Sequence, residues 1–342
     1  MTRLVDTTLR LVRALIVALI LVSIAAAAAA KTRAYVFNDG SGDISIIDTE
    51  THEVIVTVDV GLRIRWFSSR FFDGKRVWGV DADRSKAEAI VFDPWKLKEL
   101  KRIPFGKGPS MSVELSPDLA FAAANAAGSD QIAVIDTRTY EVVRRIPVGD
   151  FPCDLTFSND GEVAYEPDRD QDTVTVLDWQ AGRTVKTIAL ESGSKPWMIT
   201  LSPDGRHLWV QERDSARVSV FDTTTFRRVA RLKVGRTPVT NEFTPSGRYS
   251  IVNHIGENYV KVFDTATLSE VKTIVVGRSP VNVAIDAEGK FAYVTNWGSH
   301  TVSVIDLAEW QVVKTIKVGR HPFGIYLFDP STGIMTGNRS HQ

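Results

Sequence analysis

From Gly61 onward a glycine closes a short β-branched run every 42 to 45 residues, at Gly61, Gly106, Gly149, Gly193, Gly235, Gly277 and Gly319. An aspartate keeps the same interval, at Asp48, Asp93, Asp136, Asp178, Asp222, Asp264 and Asp306. The pattern is clearest from Arg278 to Gly319. There Val281–Ile285 alternates with a β-branched bias, and Asp286-Ala-Glu-Gly289 supplies turn chemistry. Phe291–Thr295 reads as a second strand, Thr301–Ile305 as a strict period-2 third strand, and Val312–Val318 as a fourth. One such unit is a small sheet with two apolar faces and nothing of its own to cover them. Copies of itself must do so.

Four strands per unit and a period in the low forties predict β-propeller blades, and seven glycines with seven aspartates predict seven of them. The fold class is therefore all-β, with residues 31–342 forming one propeller domain. The ends predict how the ring closes. Tyr35-Val-Phe-Asn38 matches the second strand Tyr293-Val-Thr-Asn296, and the segment from His321 to Asp329 matches a first strand. The C-terminal segment should thus supply the inner strand of the blade begun by residues 34–61, removing two free sheet edges. Ile334–Asn338 reads either as a displaced extra strand or as a frayed tail.

Tyr293-Val-Thr-Asn296 followed by TVSVID resembles the repeat that names the YVTN family of β-propellers, over nearly all of residues 34–328. The resemblance implies a bacterial or archaeal surface or periplasmic protein. It also implies kinship with cytochrome d1-type propellers, which bind haem, and with accessories of quinoprotein dehydrogenases. This chain has seven units where the haem-binding propeller has eight, and no histidine here matches a motif of that family. A haem or quinone is thus an open cofactor reading.

The N-terminus stands apart. Arg3, Arg10 and Arg13 precede the apolar run Ala14–Ile24, and an alanine tract ends at Ala30. This predicts a secretory signal peptide over residues 1–30, cleaved after Ala28-Ala-Ala30. The alternative is an uncleaved anchor at the lower length limit for spanning a bilayer. Either places the propeller outside the cytoplasm. Removing residues 1–30 leaves 38 basic and 40 acidic side chains, a balance that argues against a nucleic-acid partner. The single cysteine, Cys153, excludes an intramolecular disulfide and is expected to be buried packing at an inner strand.

The repeated aspartates precede the turn into each fourth strand, where a carboxylate accepts backbone N–H groups two residues on. They are expected to be structural. The second unit, Leu62–Gly106, is the least regular. It has an atypical first strand around Arg65 and Trp66 and a long charged loop from Asp81 to Ala87.

In a four-stranded blade, the link into the next blade and the loop between strands two and three emerge on one face. Six of the seven links carry a cation: Arg63 and Arg65, Lys107, Lys195, Arg236, Arg278 and Arg320. This predicts a ring of positive charge around one mouth of the channel, able to concentrate an anionic ligand or an envelope protein partner. The other loops of that face add Arg213, Asn253, His254, Asn296 and Trp297. Trp66, Trp197 and His321 fall nearby in the pattern. No G-x-S-x-G, H-E-x-x-H or Gly-rich phosphate loop is present. The expected function is an exported, monomeric binding or scaffold protein. A haem- or quinone-handling accessory protein is the alternative, and a lactonase-type hydrolase the third reading.

Overall fold

The computed structural model describes residues 32–65, 76–83, 85–329 and 334–336; for Arg65 and 334–336 it describes the backbone alone. The expected signal segment, Trp66 and the end of the chain lie outside these residues. Each repeat builds one antiparallel sheet, and seven sheets make the ring. In the seventh blade the strands are Pro280–Ile285, Phe291–Asn296, Thr301–Asp306 and Gln311–Lys317, paired in chain order. Closure follows the expected route: Pro322–Asp329 pairs with Arg33–Asn38, which leads to Asp43–Asp48 and Glu53–Asp59. Tyr35 stacks on Tyr326 across that seam at 5.1 Å between ring centroids. Ile334–Thr336 is an extra strand, antiparallel to Leu327–Asp329 on the channel side of the closing blade.

The blades bury one another's faces. Alternate residues of a strand point to opposite neighbours, so each interface is an apolar seam such as Ile251, Val260 and Val262 against Val283, Ala292 and Val294. The alanine-rich strand Phe121–Ala126 shows why residue size matters. Ala122, Ala124 and Ala126 face the second blade, where the fully buried Trp78 and Phe105 fill the space that small side chains leave.

All seven repeat aspartates make the expected turn. Asp264 Oδ1, for example, accepts the N–H groups of Ala266 and Thr267 at 3.0 and 2.9 Å. The same holds at Asp48, Asp93, Asp136, Asp222 and Asp306, while at Asp178 the backbone donor is the N–H three residues on, from Ala181 at 2.9 Å. Threonine after the aspartate adds a tie: Thr265 Oγ1 donates to Gly247 O at 2.7 Å, joining the two turns at that end of the blade.

Every outermost strand carries a β-bulge at one equivalent residue. The pairing skips Ile55, Leu100, Val143, Val185, Val229, Val271 and Val313. These are also exposed apolar side chains. A bulge bends and twists a free edge out of register with any incoming strand, so the seven outer edges resist edge-to-edge pairing.

The second blade corrects one expectation. Asp81 and Lys86 already belong to the strands Val77–Asp81 and Lys86–Asp93, so the turn between them is short, and Asp83 closes it by accepting Ser85 N–H at 3.0 Å. Of the atypical first strand, Ile64–Arg65 pairs with Val80–Asp81.

Candidate functional site at the channel mouth

The link and the second-to-third-strand loop of each blade lie together, hydrogen-bonded backbone to backbone. Arg169 N donates to Phe151 O at 3.2 Å, Arg213 N to Lys195 O at 3.2 Å, and Ile255 N to Thr237 O at 3.1 Å. Trp297 N donates to Ser279 O at 3.0 Å and Asp39 N to His321 O at 3.0 Å. The residue before the link proline takes a left-handed conformation in Phe151, Lys195, Thr237, Ser279 and His321. That turns its carbonyl toward the neighbouring loop.

The closing glycines have two separate causes. Gly61 and Gly193 have φ of +64° and +82° with open space around them. Gly149, Gly235, Gly277 and Gly319 instead cross the end of the second strand, where any Cβ would collide with Asp168, His254, Asn296 and Asn38 respectively. Gly106 meets Ala126 in the same way. The link glycine and the last residue of the second strand are thus one packing unit.

That unit fixes the role of the signature asparagine. Asn296 is fully buried and donates through Nδ2 to Thr301 Oγ1 at 3.1 Å and Ser303 Oγ at 2.9 Å, clasping the second strand to the third. Asn38 does the same toward Ser45 at 3.0 Å. Asn253 is also buried and donates to Thr240 Oγ1 at 2.9 Å, which in turn donates to Val281 O of the next blade at 2.8 Å. His254 stands where Asn296 stands in its own blade. It is buried, and its Nδ1 lies 3.3 Å from Tyr259 O. Burial pushes the imidazole down to about 4, so it is neutral at physiological pH. The structure separates Asn253, His254 and Asn296 from the mouth.

What converges at the mouth is a cavity of about 150 Å³ whose lining side chains are mostly apolar but include Thr237 and two arginines. Its floor is Met111, Val239, Val281 and Phe323, the first inward residues of four inner strands. Ile255, Phe151 and Trp197 form the walls. Two guanidinium groups border it on one side. Arg169 Cζ lies 3.5 Å from the ring centroid of Phe151, and Arg213 Cζ 4.6 Å from that of Trp197. Each arginine lies over an aromatic ring, an arrangement that favours cations.

Of the expected residues, Trp197 and Arg213 reach this cavity. Phe151, Arg169 and the inner-strand apolar residues were not among those expected. The loop holding Arg169 was visible in sequence as Glu166-Pro-Asp-Arg-Asp170, and Phe151 precedes the link proline.

Positive charge is uneven around the face. Arg63 pairs with Asp39 at 3.3 Å, Lys195 with Asp170 at 3.5 Å, and Arg236 with Glu257 at 3.0 Å. Arg169 also clasps Asp170 through two bonds of 3.0 and 2.9 Å, holding that carboxyl below its usual range. Among the described residues, Lys107, Arg213, Arg278 and Arg320 have no ion pair. Acids gather on the side of blades three to five: Asp130 and Asp172 accept link N–H groups of Phe151 and Lys195. His321 stacks on Trp297 at 4.2 Å, 18° from parallel, and its N–H donates to His300 Nδ1 at 3.1 Å.

Under the mouth, Cys153 is fully buried as expected, and burial raises its thiol well above the ordinary value. Glu166 accepts its N–H at 3.0 Å. Burial first, and then Asp168 and Asp154, raise the Glu166 carboxyl strongly. Among the described residues no group of three histidine, cysteine or acidic side chains is arranged to hold a metal ion.

Fold and mouth together define a seven-bladed β-propeller with an arginine-bordered channel entrance. The model of the YNCE-like beta-propeller family matches residues 15–332, and the chain belongs to that family. No curated protein matches the sequence. Among solved structures, the Pseudomonas aeruginosa periplasmic gluconolactonase PpgL is 18% identical with a TM-score of 0.73, covering 86% of this chain and 98% of its own. Kuenenia stuttgartiensis hydrazine synthase is 21% identical with a TM-score of 0.65, covering 81% of this chain and 94% of that one. The dihydro-heme d1 dehydrogenase NirN in complex with DHE is 16% identical with a TM-score of 0.64, covering 90% and 73%. These likenesses establish the fold. Among the described residues no helix is long and apolar enough to cross a membrane.

Proposed function

We propose that this protein is an exported binding protein whose link-and-loop face takes up an anionic ligand at the channel mouth. The observation that carries this reading is the pair of arginines laid against Phe151 and Trp197 at the edge of a cavity lined mostly by apolar side chains. Concave, mostly apolar sites with a few oriented polar groups are where small molecules bind. Arg278 and Arg320, exposed on the same face, add a long-range field that draws an anion inward. The N-terminal segment supports export, and the word periplasmic in the name of PpgL agrees with it. A cavity of this size takes one ring, whereas a porphyrin is several times larger, which favours a small molecule over haem.

The test is calorimetric titration of the purified chain with phosphate, citrate, benzoate and an acidic peptide at low and high salt. At least one should bind at low salt. Its affinity should drop at least tenfold in the combined Arg213→Glu, Arg278→Glu and Arg320→Glu variant, and partly at high salt. Binding indifferent to charge reversal, or no binding by any of the four, overturns the reading.

A further inference from the structure

The same mouth carries a narrower inference, which rests on the anion-binding reading: we infer that the ligand is a small aromatic monocarboxylate, about the size of benzoate. Three observations set its class.

The first is the division of labour between the two arginines. Arg169 is tied by two bonds to Asp170, a carboxylate it shares with Lys195. Arg213 has no ion pair among the described residues and is held over Trp197 by its guanidinium plane alone. Of the two guanidinium groups at the cavity edge, Arg213 is therefore the one whose donors are not committed to a carboxylate. A dianion or trianion would leave charge facing the Met111, Val239, Val281 and Phe323 side chains, whereas a monoanion meets the Arg213 guanidinium at the rim.

The second is volume. A cavity of about 150 Å³ with mostly apolar side chains in its lining has room for one benzene-sized body. A single carboxylate on that body reaches the rim while the ring stays on the floor.

The third is the shape of the donor. Arg213 lies over the Trp197 ring, and among the described residues its guanidinium has no hydrogen-bond partner; its planar fork matches a carboxylate with two parallel hydrogen bonds. Trp197 and Phe151 then lie beside the ligand ring as aromatic neighbours.

The test compares benzoate, cyclohexanecarboxylate, acetate, phosphate and citrate on the full chain by calorimetry. Benzoate is expected to bind at least tenfold more tightly than acetate, phosphate or citrate, and more tightly than cyclohexanecarboxylate. Arg213→Gln should weaken benzoate at least tenfold, leaving thermal melting unchanged. Ile255→Trp, on a half-buried loop position, should fill the cavity and abolish binding by occupying the ring site. Phosphate or citrate binding more tightly than benzoate overturns this inference while the broader anion reading stands. Benzoate binding that survives both variants overturns it too, by placing the ligand elsewhere. Silence from every anion overturns both.

Discussion

Replacing Gly277 by alanine puts a Cβ 2.6 Å from Asn296 Cγ and 2.7 Å from Asn296 Cβ, both fully buried. Neither neighbour can retreat. Asn296 is bonded to Thr301 and Ser303, and its Cβ is fixed by the strand backbone. Overpacking of this kind costs about 3 kcal/mol, which lowers the melting temperature of a chain this size by about 6 °C. Gly193 provides the contrast: it has φ of +82° and nothing within 4 Å of a Cβ. Its alanine variant carries only the left-handed backbone cost, about 1 kcal/mol and about 2 °C. Scanning calorimetry of both variants at one scan rate reads the difference directly. The Asn296→Ala variant sharpens the test, because its Cβ stays where it was. Adding Asn296→Ala to Gly277→Ala should therefore not restore stability. If Gly277→Ala melts within a degree of the parent, the close approach is not what selects glycine there; recovery in the double variant would put the clash on the Asn296 amide rather than on its Cβ.

His254 gives a pH signature. In the unfolded chain its imidazole titrates near its ordinary value of 6.5, whereas in the folded chain it does so near 4. Between those values the unfolded state holds more protons, so stability falls as pH drops through that window, by about 3 kcal/mol in all. Urea unfolding from pH 7 to pH 4 should show the loss, and His254→Asn should flatten that part of the curve while lowering stability at pH 7. Glu212 is completely buried against Arg231, whose Nη2 lies 2.5 Å from Oε2, and Ser219 and Ser215 donate to the same carboxylate. Arg231→Met strands that charge and is expected to cost about 3 kcal/mol in the same assay, whereas the paired change with Glu212→Gln should recover most of it.

The propeller was legible because its signals are local and repeated. Asp136, Asp222 and Asp264 each answer to N–H groups two and three residues on, so the same dipeptide makes the same turn wherever it recurs. Ring closure was legible for a related reason: Tyr35-Val-Phe-Asn38 and the segment from Pro322 both carry the repeat's alternation. The site was legible in part. Arg213 sits in a loop, and Trp197 at the start of the inner strand Pro196–Leu201, both on a face that follows from strand parity alone. Asn296 and His254 follow the same parity to the end of a strand, yet their side chains turn into the blade, because Thr301, Ser303 and Tyr259 offer partners there.

By itself, then, the sequence determined the number of blades, the turn at each aspartate, the burial of Cys153 and the face on which the links meet the loops. Each depends on residues close in the chain or on a period that can be counted. Only the tertiary structure decided which cations are spent on neighbouring acids. It also made Gly193 a backbone requirement and Gly277 a steric one, and it gathered Met111, Phe151, Trp197, Val281 and Phe323 around one cavity. Those residues come from five different blades, and their meeting depends on closing the ring. No spacing along the chain encodes a distance across it.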